Sequence, residues 1–299
     1  DNVFTSFKWA DHDKMMFYNR QQLAFEYEWY GGLKTSLKLK TEENEACGNL
    51  HFIPLSMPST DANGIKIRTT EASLQLRYAP GEKLINSKQR RVAINRETPI
   101  FALTHTFGVK GVLGGDYNYN FTEATIYKRF FMNSWGDLNV DARAGAQWNK
   151  VPYPLLIMPA VNLSYLAADG VFNLINNMEF LNDRYASLDI WWNMNGKIFN
   201  RIPLFKKLKW REYIGVKCLW GDLTSKNNPY LEKNQGDNIL MHFPEGANVI
   251  DHNKPYVEAI IGVTNIFKIL SVQYVRRLTY TDLPTAHKQG VRFRFMFRF

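Results

Sequence analysis

The residues best suited to acid–base or nucleophilic chemistry are concentrated in one polar stretch, residues 221–255. This stretch contains Asp237, His242 and the adjacent pair Asp251 and His252. A carboxylate that orients an imidazole is the arrangement by which hydrolases activate water or a serine hydroxyl. The same residue types are also common in any long polar loop, so their presence alone does not require catalysis. We expect no enzymatic activity, and a hydrolase acting from this loop is the alternative.

The residue types that bind metals or cofactors are too dispersed to form a recognisable site. Cys47 and Cys218 are too far apart in sequence for a Cys-x-x-Cys motif. Gly111, Gly114 and Gly115 are not followed by the Lys-Ser/Thr of a phosphate-binding loop. The histidines show no metal-ligand spacing, and they are His12, His51, His105, His242, His252 and His287. We therefore expect neither a metal ion nor a cofactor.

Charged residues at every second position form the larger set of candidate functional residues. We expect twelve of them to share the polar face of a sheet that lines the lumen of a barrel: Glu26, Glu28, Lys34, Lys38, Arg77, Asp141, Arg143, Asp189, Lys217, Glu258, Arg292 and Arg294. Two roles fit such a set. Either the charges pair and stiffen the wall, or the cations among them favour anions in a channel.

The elements that would position these charges are β-strands, because polar and apolar residues alternate with a period of two. In residues 138–148, Leu138 and Val140 begin the apolar set, whereas Asp141 and Arg143 belong to the polar set. About twelve strands are predicted, most of them about ten residues long, which is enough to cross a bilayer at the usual tilt. They are residues 3–9, 22–29, 33–42, 66–78, 100–109, 116–131, 137–148, 183–194, 209–220, 256–264, 269–280 and 291–299.

The first two of the longer strands predict a hairpin with a defined register. Cross-strand partners must share a face, so Trp29 should lie opposite Leu33 across a three-residue turn that contains glycine. Glu28 then lies opposite Lys34, and Glu26 lies diagonal to Lys38. This register brings opposite charges together on the polar face.

The lengths of the connections also alternate. Short turns are predicted at residues 30–32, 132–136 and 265–268, and long loops at 43–65, 149–182 and 221–255. Short turns at one end and long loops at the other are typical of outer-membrane barrels, in which the long loops are extracellular. Residues 149–182, with an apolar run at their centre, are a candidate plug for the barrel.

The apolar face of the strands favours contact with lipid over a soluble sandwich or a lipocalin-like barrel, which are the alternatives. No stretch approaches the roughly 18 apolar residues of a membrane helix, but membrane strands need no such run. His105 shares the apolar parity of its strand. Aromatic residues near strand ends are expected to form girdles at the headgroup level: Trp29, Trp148, Trp192, Trp210, Trp220, Tyr256 and Tyr280.

The last strand resembles the C-terminal signal by which outer-membrane proteins are recognised by their assembly machinery. Its apolar face consists of Val291, Phe293, Phe295, Phe297 and Phe299. In water, such an aromatic edge strand would be an aggregation hazard, whereas in a barrel its aromatic residues face hydrocarbon.

Several short motifs resemble one family along nearly the whole chain. They are GVLGGDY (111–117), VPYPLL (151–156), FNL (172–174), MEF (178–180), NRIPL (200–204), RE (211–212), PYVE (255–258) and NIFK (265–268). The chain is similar to the outer-membrane β-barrel region of a family of outer-membrane proteins of unknown function that carry a carboxypeptidase-regulatory-like domain. The resemblance implies that residues 1–299 are a single β-barrel domain, the C-terminal part of a longer protein whose barrel has up to about 16 strands.

More distantly, the order of MEF, a strand, a basic loop and PYVE resembles the last strands of the BamA-type insertase/translocase superfamily. The Arg-Gly-Phe/Tyr loop motif of that superfamily does not occur in this sequence.

The charge balance limits the partners. Lys and Arg number 37 against 28 Asp and Glu, a formal net charge of +9. Nucleic acid, anionic lipid and an anion-selective pore all fit a basic protein. The densest basic patch, residues 206–211, lies beside a strand rather than in a tail, so we expect no nucleic-acid partner. The expected partners are outer-membrane lipid, the outer-membrane assembly machinery and other outer-membrane proteins.

Together these patterns predict an all-β protein, a transmembrane antiparallel up-and-down barrel located in the cell outer membrane. We expect a transport, assembly or scaffolding role, in a multi-protein complex of the outer membrane. Besides the hydrolase, the alternative is the C-terminal part of an energy-coupled transporter, which would need a plug domain and a coupling motif.

Overall fold

The computed structural model describes residues 8–9, 13–58, 65–86 and 91–295. One antiparallel sheet contains eleven strands, and β4 and β5 form a separate hairpin. The strands are β1 (Lys14–Glu28), β2 (Leu33–Gly48), β3 (Lys66–Tyr78), β4 (Leu84–Asn86), β5 (Arg91–Ala93), β6 (Ile100–Gly108), β7 (Tyr119–Phe131), β8 (Asp137–Gln147), β9 (Arg184–Asn193), β10 (Arg211–Asp222), β11 (Tyr256–Ile266), β12 (Leu270–Arg277) and β13 (Gln289–Phe295).

Among the residues that the structure describes, helical structure is limited to one short α-helix and several 3-10 turns. The helix, α1, comprises Pro203–Leu208. The 3-10 turns are Tyr30–Gly32, Asn133–Trp135, Tyr153–Leu155, Phe199–Arg201 and Glu232–Asn234. Within the described ranges, no helix has the length and apolar character needed to cross a membrane.

Each strand of the large sheet pairs with its neighbour in sequence, in the order β1-β2-β3-β6-β7-β8-β9-β10-β11-β12-β13. Successive connections therefore lie at opposite ends of the sheet, as the alternating loop lengths predicted. We call these the short-turn end, which holds residues 30–32, and the long-loop end, which holds residues 223–255. Strands β1 and β13 are the two edges, so the described residues form an open sheet rather than the closed barrel that was predicted.

Eleven of the predicted strands are the strands of this sheet, with differences at their ends. β1 begins at Lys14 rather than at residue 22, because backbone pairing with β2 continues through Asn19, Arg20 and Gln21, where the alternation is broken. The hairpin of β4 and β5 was not predicted. The predicted strand 3–9 lies almost wholly outside the described residues, although Lys8 forms a bridge with Ser164.

The predicted register of the first hairpin is confirmed. Glu28 lies opposite Lys34, and the backbone amide of Trp29 donates to the carbonyl of Leu33 over 2.8 Å. Glu26 forms its ion pair with Lys34, over 2.5 Å, rather than with the other diagonal neighbour, Lys38. The turn requires glycine at Gly32, because φ is +85° there and an added Cβ would lie 2.1 Å from a backbone oxygen.

The registers place all twelve predicted lumen charges on one face of the sheet. Lys217, for example, lies opposite Asp189 on one side and Glu258 on the other. We call this the polar face. The opposite face exposes large apolar side chains, among them Leu23, Phe25, Leu74, Leu103, Phe107, Ile126, Ile261 and Phe293.

This pattern is reversed at the long-loop ends of β2 and β3. Ile67 lies on the polar-face side and is fully buried. The outer side instead carries charges: Lys66 pairs with Glu43 and Glu45, each over 3.0 Å, and Arg68 pairs with Glu43 over 2.5 Å. The apolar outer surface therefore ends on the short-turn side of these residues.

The main hydrophobic core lies among the long loops. Its buried residues come from residues 50–52, the first residues of β3 and β7, and the loops that follow β8 and β10: Leu50, Phe52, Ile67, Tyr119, Val151, Tyr153, Leu156, Met178, Leu181, Leu223 and Met241. The loops thus bury their apolar side chains against one another, in the ordinary arrangement of a protein in water. The long-loop end is a compact cap.

Candidate functional site

The connection between β8 and β9, residues 148–183, lies against the polar face of the sheet. We call it the inserted segment. Two bridges fold it back on itself, one between Ile157 and Asn182 and one between Val161 and Phe172. Its tip contacts strands β11–β13, and it corresponds to the candidate plug of the sequence.

Glu258 on β11 is the centre of the contact with the inserted segment. Its carboxylate accepts hydrogen bonds from the backbone amide of Asn173, over 3.0 and 3.1 Å, from the Asn173 side-chain amide over 3.0 Å, and from the Tyr256 hydroxyl over 3.1 Å. The side chain is fully buried. These bonds supply the compensation that a carboxylate needs away from water.

A second contact is the ion pair between Arg277 on β12 and Glu179 on the inserted segment. Their side chains are 2.7 Å apart and 0% and 1% exposed. Arg277 also donates to the carbonyl of Leu174 over 3.3 Å and to that of Thr279 over 3.1 Å. Its guanidinium lies 4.9 Å from the centre of the Tyr256 ring. Each charge is thus neutralised and hydrogen-bonded.

Arg292 and Arg294 on β13 complete the contact. Arg292 is fully buried, donates to the carbonyl of Asn173 over 2.5 Å, and lies 3.9 Å from the centre of the Trp9 ring. Its Nε atom has no hydrogen-bond partner in the described part of the chain. Arg294 pairs with Asp169 over 2.6 Å. The inserted segment therefore covers Arg292 and neutralises Arg294, whose side chain stays 30% exposed.

The inserted segment also pairs with the edge of β13. The amide of Phe293 donates to the carbonyl of Tyr165 over 2.8 Å, and the amide of Ala167 donates to the carbonyl of Phe293 over 2.7 Å. This is a short parallel bridge. It occupies part of the edge that a closing strand would use.

Between the inserted segment and strands β8–β10 the polar face remains hollow. Two adjoining cavities of about 340 and 600 Å³ share Asp141, Gly170 and Asp189 in their walls. Lys217 forms an ion pair with Asp189, and Arg143 pairs with Asp141 over 2.8 Å. The walls carry both signs of charge, so the predicted pairing of the polar-face charges is present here.

The remaining predicted charges lie far from the inserted segment. Glu26, Glu28 and the rest of β1 from Phe17 onward are exposed on both faces of the sheet, whereas Lys14 and Met16 are half-buried. Arg77 on β3 donates two hydrogen bonds, of 2.8 and 2.9 Å, to Glu82 in the next connection. The guanidinium holds the pKa of Glu82 below its usual value despite the opposing effect of partial burial. Here the charges fix a short-turn connection.

The residues considered for hydrolysis are not assembled into one group by the contacts they make. Asp251 and His252 are 3.7 Å apart and strongly exposed. Asp237 accepts a hydrogen bond from Lys150 over 2.6 Å and others from the amides of Ile239 and Leu240. Burial alone would raise the pKa of Asp237, but these donors lower it below its usual value. Asp237 thus joins two loops.

Other candidate positions have structural partners. His105 is on the apolar face, as its parity predicted, and its Nδ1 lies 2.8 Å from the Thr122 hydroxyl. In the described ranges, no group of three or more His, Cys, Asp or Glu residues could hold a metal ion. The prediction that Tyr256 belongs to an aromatic girdle is wrong, because it faces the polar side and is fully buried beside Phe172 and Phe180.

The sequence did not identify Asp169, Asn173 and Glu179 as partners of the polar face. Asn173 and Glu179 lie in the motifs FNL and MEF, which were noted for their resemblance to a family. That resemblance was the only signal that could have found them. In the terminal strand, Val291, Phe293 and Phe295 lie on the outer face, and Phe297 and Phe299 lie outside the described residues.

The fold is similar to that of a solved BamA structure. BamA from Haemophilus ducreyi, in a form lacking POTRA domains 1-3, has a TM-score of 0.56 at 10% sequence identity, with 94% of this chain and 55% of that chain covered. CdiB from Acinetobacter baumannii has a TM-score of 0.49 at 14% identity, with 93% and 42% covered. The chain spans about half the length of the BamA chain.

The comparisons by sequence are narrower. No curated protein matches the chain. Residues 10–236, more than half of the chain, match the model of the C-terminal domain of a family of unknown function, DUF5686. The chain therefore belongs to this family, as its C-terminal domain.

Proposed function

We propose that the chain forms a β-barrel in the outer membrane, with a transport or assembly role and no catalytic step of its own. The observation that carries the proposal is the reversal of side-chain pattern along β2 and β3. Leu37, Leu39 and Leu74 are exposed on the outer face in the half of the strands nearer the short turns, whereas Ile67 is buried on the opposite face near the cap. Hydrocarbon around the part of the sheet nearer the short-turn end, and water around the cap, account for both side-chain patterns.

Closure of the barrel needs strands beyond those of the described sheet. The eleven strands alternate in direction, so β1 and β13 run the same way. Direct pairing of the two would be parallel, whereas outer-membrane barrels are antiparallel with an even number of strands. An odd number of further strands between β1 and β13 satisfies this rule. The predicted strand 3–9 is one candidate, and a larger barrel of up to about 16 strands is the other.

The inserted segment makes an open diffusion pore the weaker proposal. It neutralises Arg277 with Glu179 and covers Glu258 and Arg292, so the cations expected to attract anions face protein. The barrel is then closed in its resting state, and transport requires the segment to move. An assembly or scaffolding role, with partners in the outer membrane, requires no such movement. The surrounding lipid and the machinery that recognises the last strand are partners in either case.

Single-channel recording in planar bilayers tests the plug. We expect the wild-type protein to show little conductance, and the double variant Asn173→Ala/Glu179→Gln to show frequent large openings, because the segment loses the side-chain hydrogen bond to Glu258 and the ion pair with Arg277. The control variant Glu232→Gln/Asn238→Ala changes the same residue types at exposed positions of the cap.

The control should behave as the wild-type protein does. Heat-modifiable migration in gels would verify that each variant forms a barrel. A steady large conductance of the wild-type protein would favour the anion-pore alternative. Charge reversal of Arg292 and Arg294 to Glu should then change its ion selectivity.

A further inference from the structure

The connection between β9 and β10 carries a basic surface that the proposed function does not use. It lies at the short-turn end and comprises residues 194–210, which we call the basic loop. It contains no Asp or Glu, and its basic residues are Lys197, Arg201, Lys206, Lys207 and Lys209. The side chains of Lys206, Lys207 and Lys209 are exposed, and no ion pair with other described residues holds them. Three ammonium groups therefore point into solvent within four residues of one another.

The same loop exposes large aliphatic side chains. Ile198, Ile202, Leu204 and Leu208 are between 42% and 61% exposed. Leu204 and Leu208 lie on the six-residue helix α1, next to the lysines. Exposed aliphatic residues intermixed with lysines are unfavourable in water but are typical of segments that lie in the plane of a membrane interface.

Aromatic contacts attach the basic loop to the rim of the apolar outer face. The Phe205 and Trp210 rings are stacked, with centres 5.5 Å apart. Trp192, at the end of β9, donates from its indole to the carbonyl of Trp135 over 2.9 Å. The ammonium of Lys197 lies 5.0 Å from the centre of the Trp135 ring. Tryptophan side chains of this kind lie at the headgroup level of a bilayer, so the loop is at that depth.

We propose that the basic loop binds anionic phospholipid headgroups of the leaflet at the short-turn end. Lys206, Lys207 and Lys209 contact the phosphates, while Leu204 and Leu208 insert into the adjoining hydrocarbon. Charge complementarity and continuity with the apolar outer face select a lipid surface over an acidic protein partner. This inference rests on the proposed membrane barrel, since a soluble protein would not bring the loop to a headgroup layer.

The test measures lipid binding to the full chain. The protein, in a neutral detergent, is titrated with phosphatidylglycerol or with phosphatidylcholine of the same acyl chains, and native mass spectrometry counts the bound lipid. We expect the protein to bind phosphatidylglycerol more tightly than phosphatidylcholine. In Lys206→Gln/Lys207→Gln/Lys209→Gln the affinity for phosphatidylglycerol should fall about 10-fold or more, because each lysine near an anionic surface contributes a similar attractive free energy.

A matched control removes three exposed lysines at the long-loop end, in Lys110→Gln/Lys233→Gln/Lys254→Gln, and should leave the preference unchanged. Equal binding of the two lipids, or equal loss in both triple variants, would overturn the inference. Displacement of phosphatidylglycerol by glycerol 1-phosphate at equal concentration would also overturn it, by identifying a site for soluble phosphates.

Failure of the proposed function gives a different result. Insertion is measured separately, as association with phosphatidylcholine vesicles that resists carbonate extraction. If the protein inserts into these vesicles but shows no preference for phosphatidylglycerol, only the proposed lipid binding by the basic loop is contradicted. If the protein does not insert, the proposed membrane barrel is contradicted.

Discussion

The two halves of the polar face carry similar charges in very different surroundings. On β1 and β2, Arg20 pairs with Glu42 in contact with solvent, whereas on β12 Arg277 pairs with Glu179 in the interior. The difference arises because the inserted segment covers strands β8–β13, whereas on β1 it bonds near the start of the strand, at the carbonyl of Lys14, and leaves the Arg20 side chain 39% exposed. The same kind of Arg–Glu ion pair is therefore in contact with solvent in one half of the polar face and buried in the other, where it anchors the inserted segment.

The largest expected effect comes from breaking the buried pair. Arg277→Ala leaves Glu179 without its cation in a dry site, and we expect a loss of about 3–5 kcal/mol in the free energy of unfolding. Denaturant unfolding of the protein in lipid vesicles measures it. The matched variant Arg20→Ala removes an arginine that is 39% exposed and leaves Lys40 3.5 Å from Glu42, so it should cost less than about 1 kcal/mol. Similar losses in both variants would mean that the inserted segment does not bury the pair of Arg277 and Glu179.

A smaller effect is expected at the contact between the inserted segment and Glu258. Asn173→Ala removes the side-chain donor and keeps the backbone amide, so we expect a loss of about 1–3 kcal/mol in the free energy of unfolding. Asn177→Ala is the control in the same segment, because it removes a bond to the carbonyl of Lys14 on β1, over 2.5 Å, and leaves those to Glu258 in place. Protease cleavage within the segment should increase in Asn173→Ala. An unchanged cleavage rate would show that the bond from the Asn173 side chain to Glu258 does not anchor the segment.

The smallest effect concerns the cap and its dependence on pH. The pKa of Asp237 is lowered in the folded protein, mainly by Lys150 once burial is offset. The ionised carboxylate therefore stabilises the folded cap above the ordinary pKa of an aspartate, and this contribution is lost as the pH falls through the lowered value. Its size should be below about 1 kcal/mol.

Thermal unfolding at pH 7 and pH 3 measures this contribution. Asp237→Asn should lose stability at pH 7 and show a weaker dependence on pH than the wild-type protein. The control Asp251→Asn alters an exposed carboxylate of the same loop and should leave the dependence unchanged. If Asp237→Asn retains the full dependence on pH, the contact with Lys150 does not stabilise the cap.

Much of the sheet could be predicted from the sequence because alternation is a local property. The side chains of a strand project to opposite sides whatever lies around them, so a period of two indicates both the strand and its faces. The register of the first hairpin followed in the same way from the short turn at Tyr30–Gly32. The start of β1 was wrong because backbone pairing continues where the alternation stops.

The contacts of the inserted segment could not be obtained this way. Asn173 and Glu258 are 85 positions apart, and nothing local to either residue indicates the other. Tyr256 is a different case. Its parity with Glu258, two residues away, already indicated the polar face, but its position near a strand end suggested a girdle.

The sequence by itself determined the strands, their two faces and the alternation of short turns and long loops, since each depends on residues close together in the chain. Only the tertiary structure decided which half of the polar face is covered and that β1 and β13 run in the same direction as open edges. The reason is that burial depends on where a distant segment folds, and direction depends on the number of strands between the two edges.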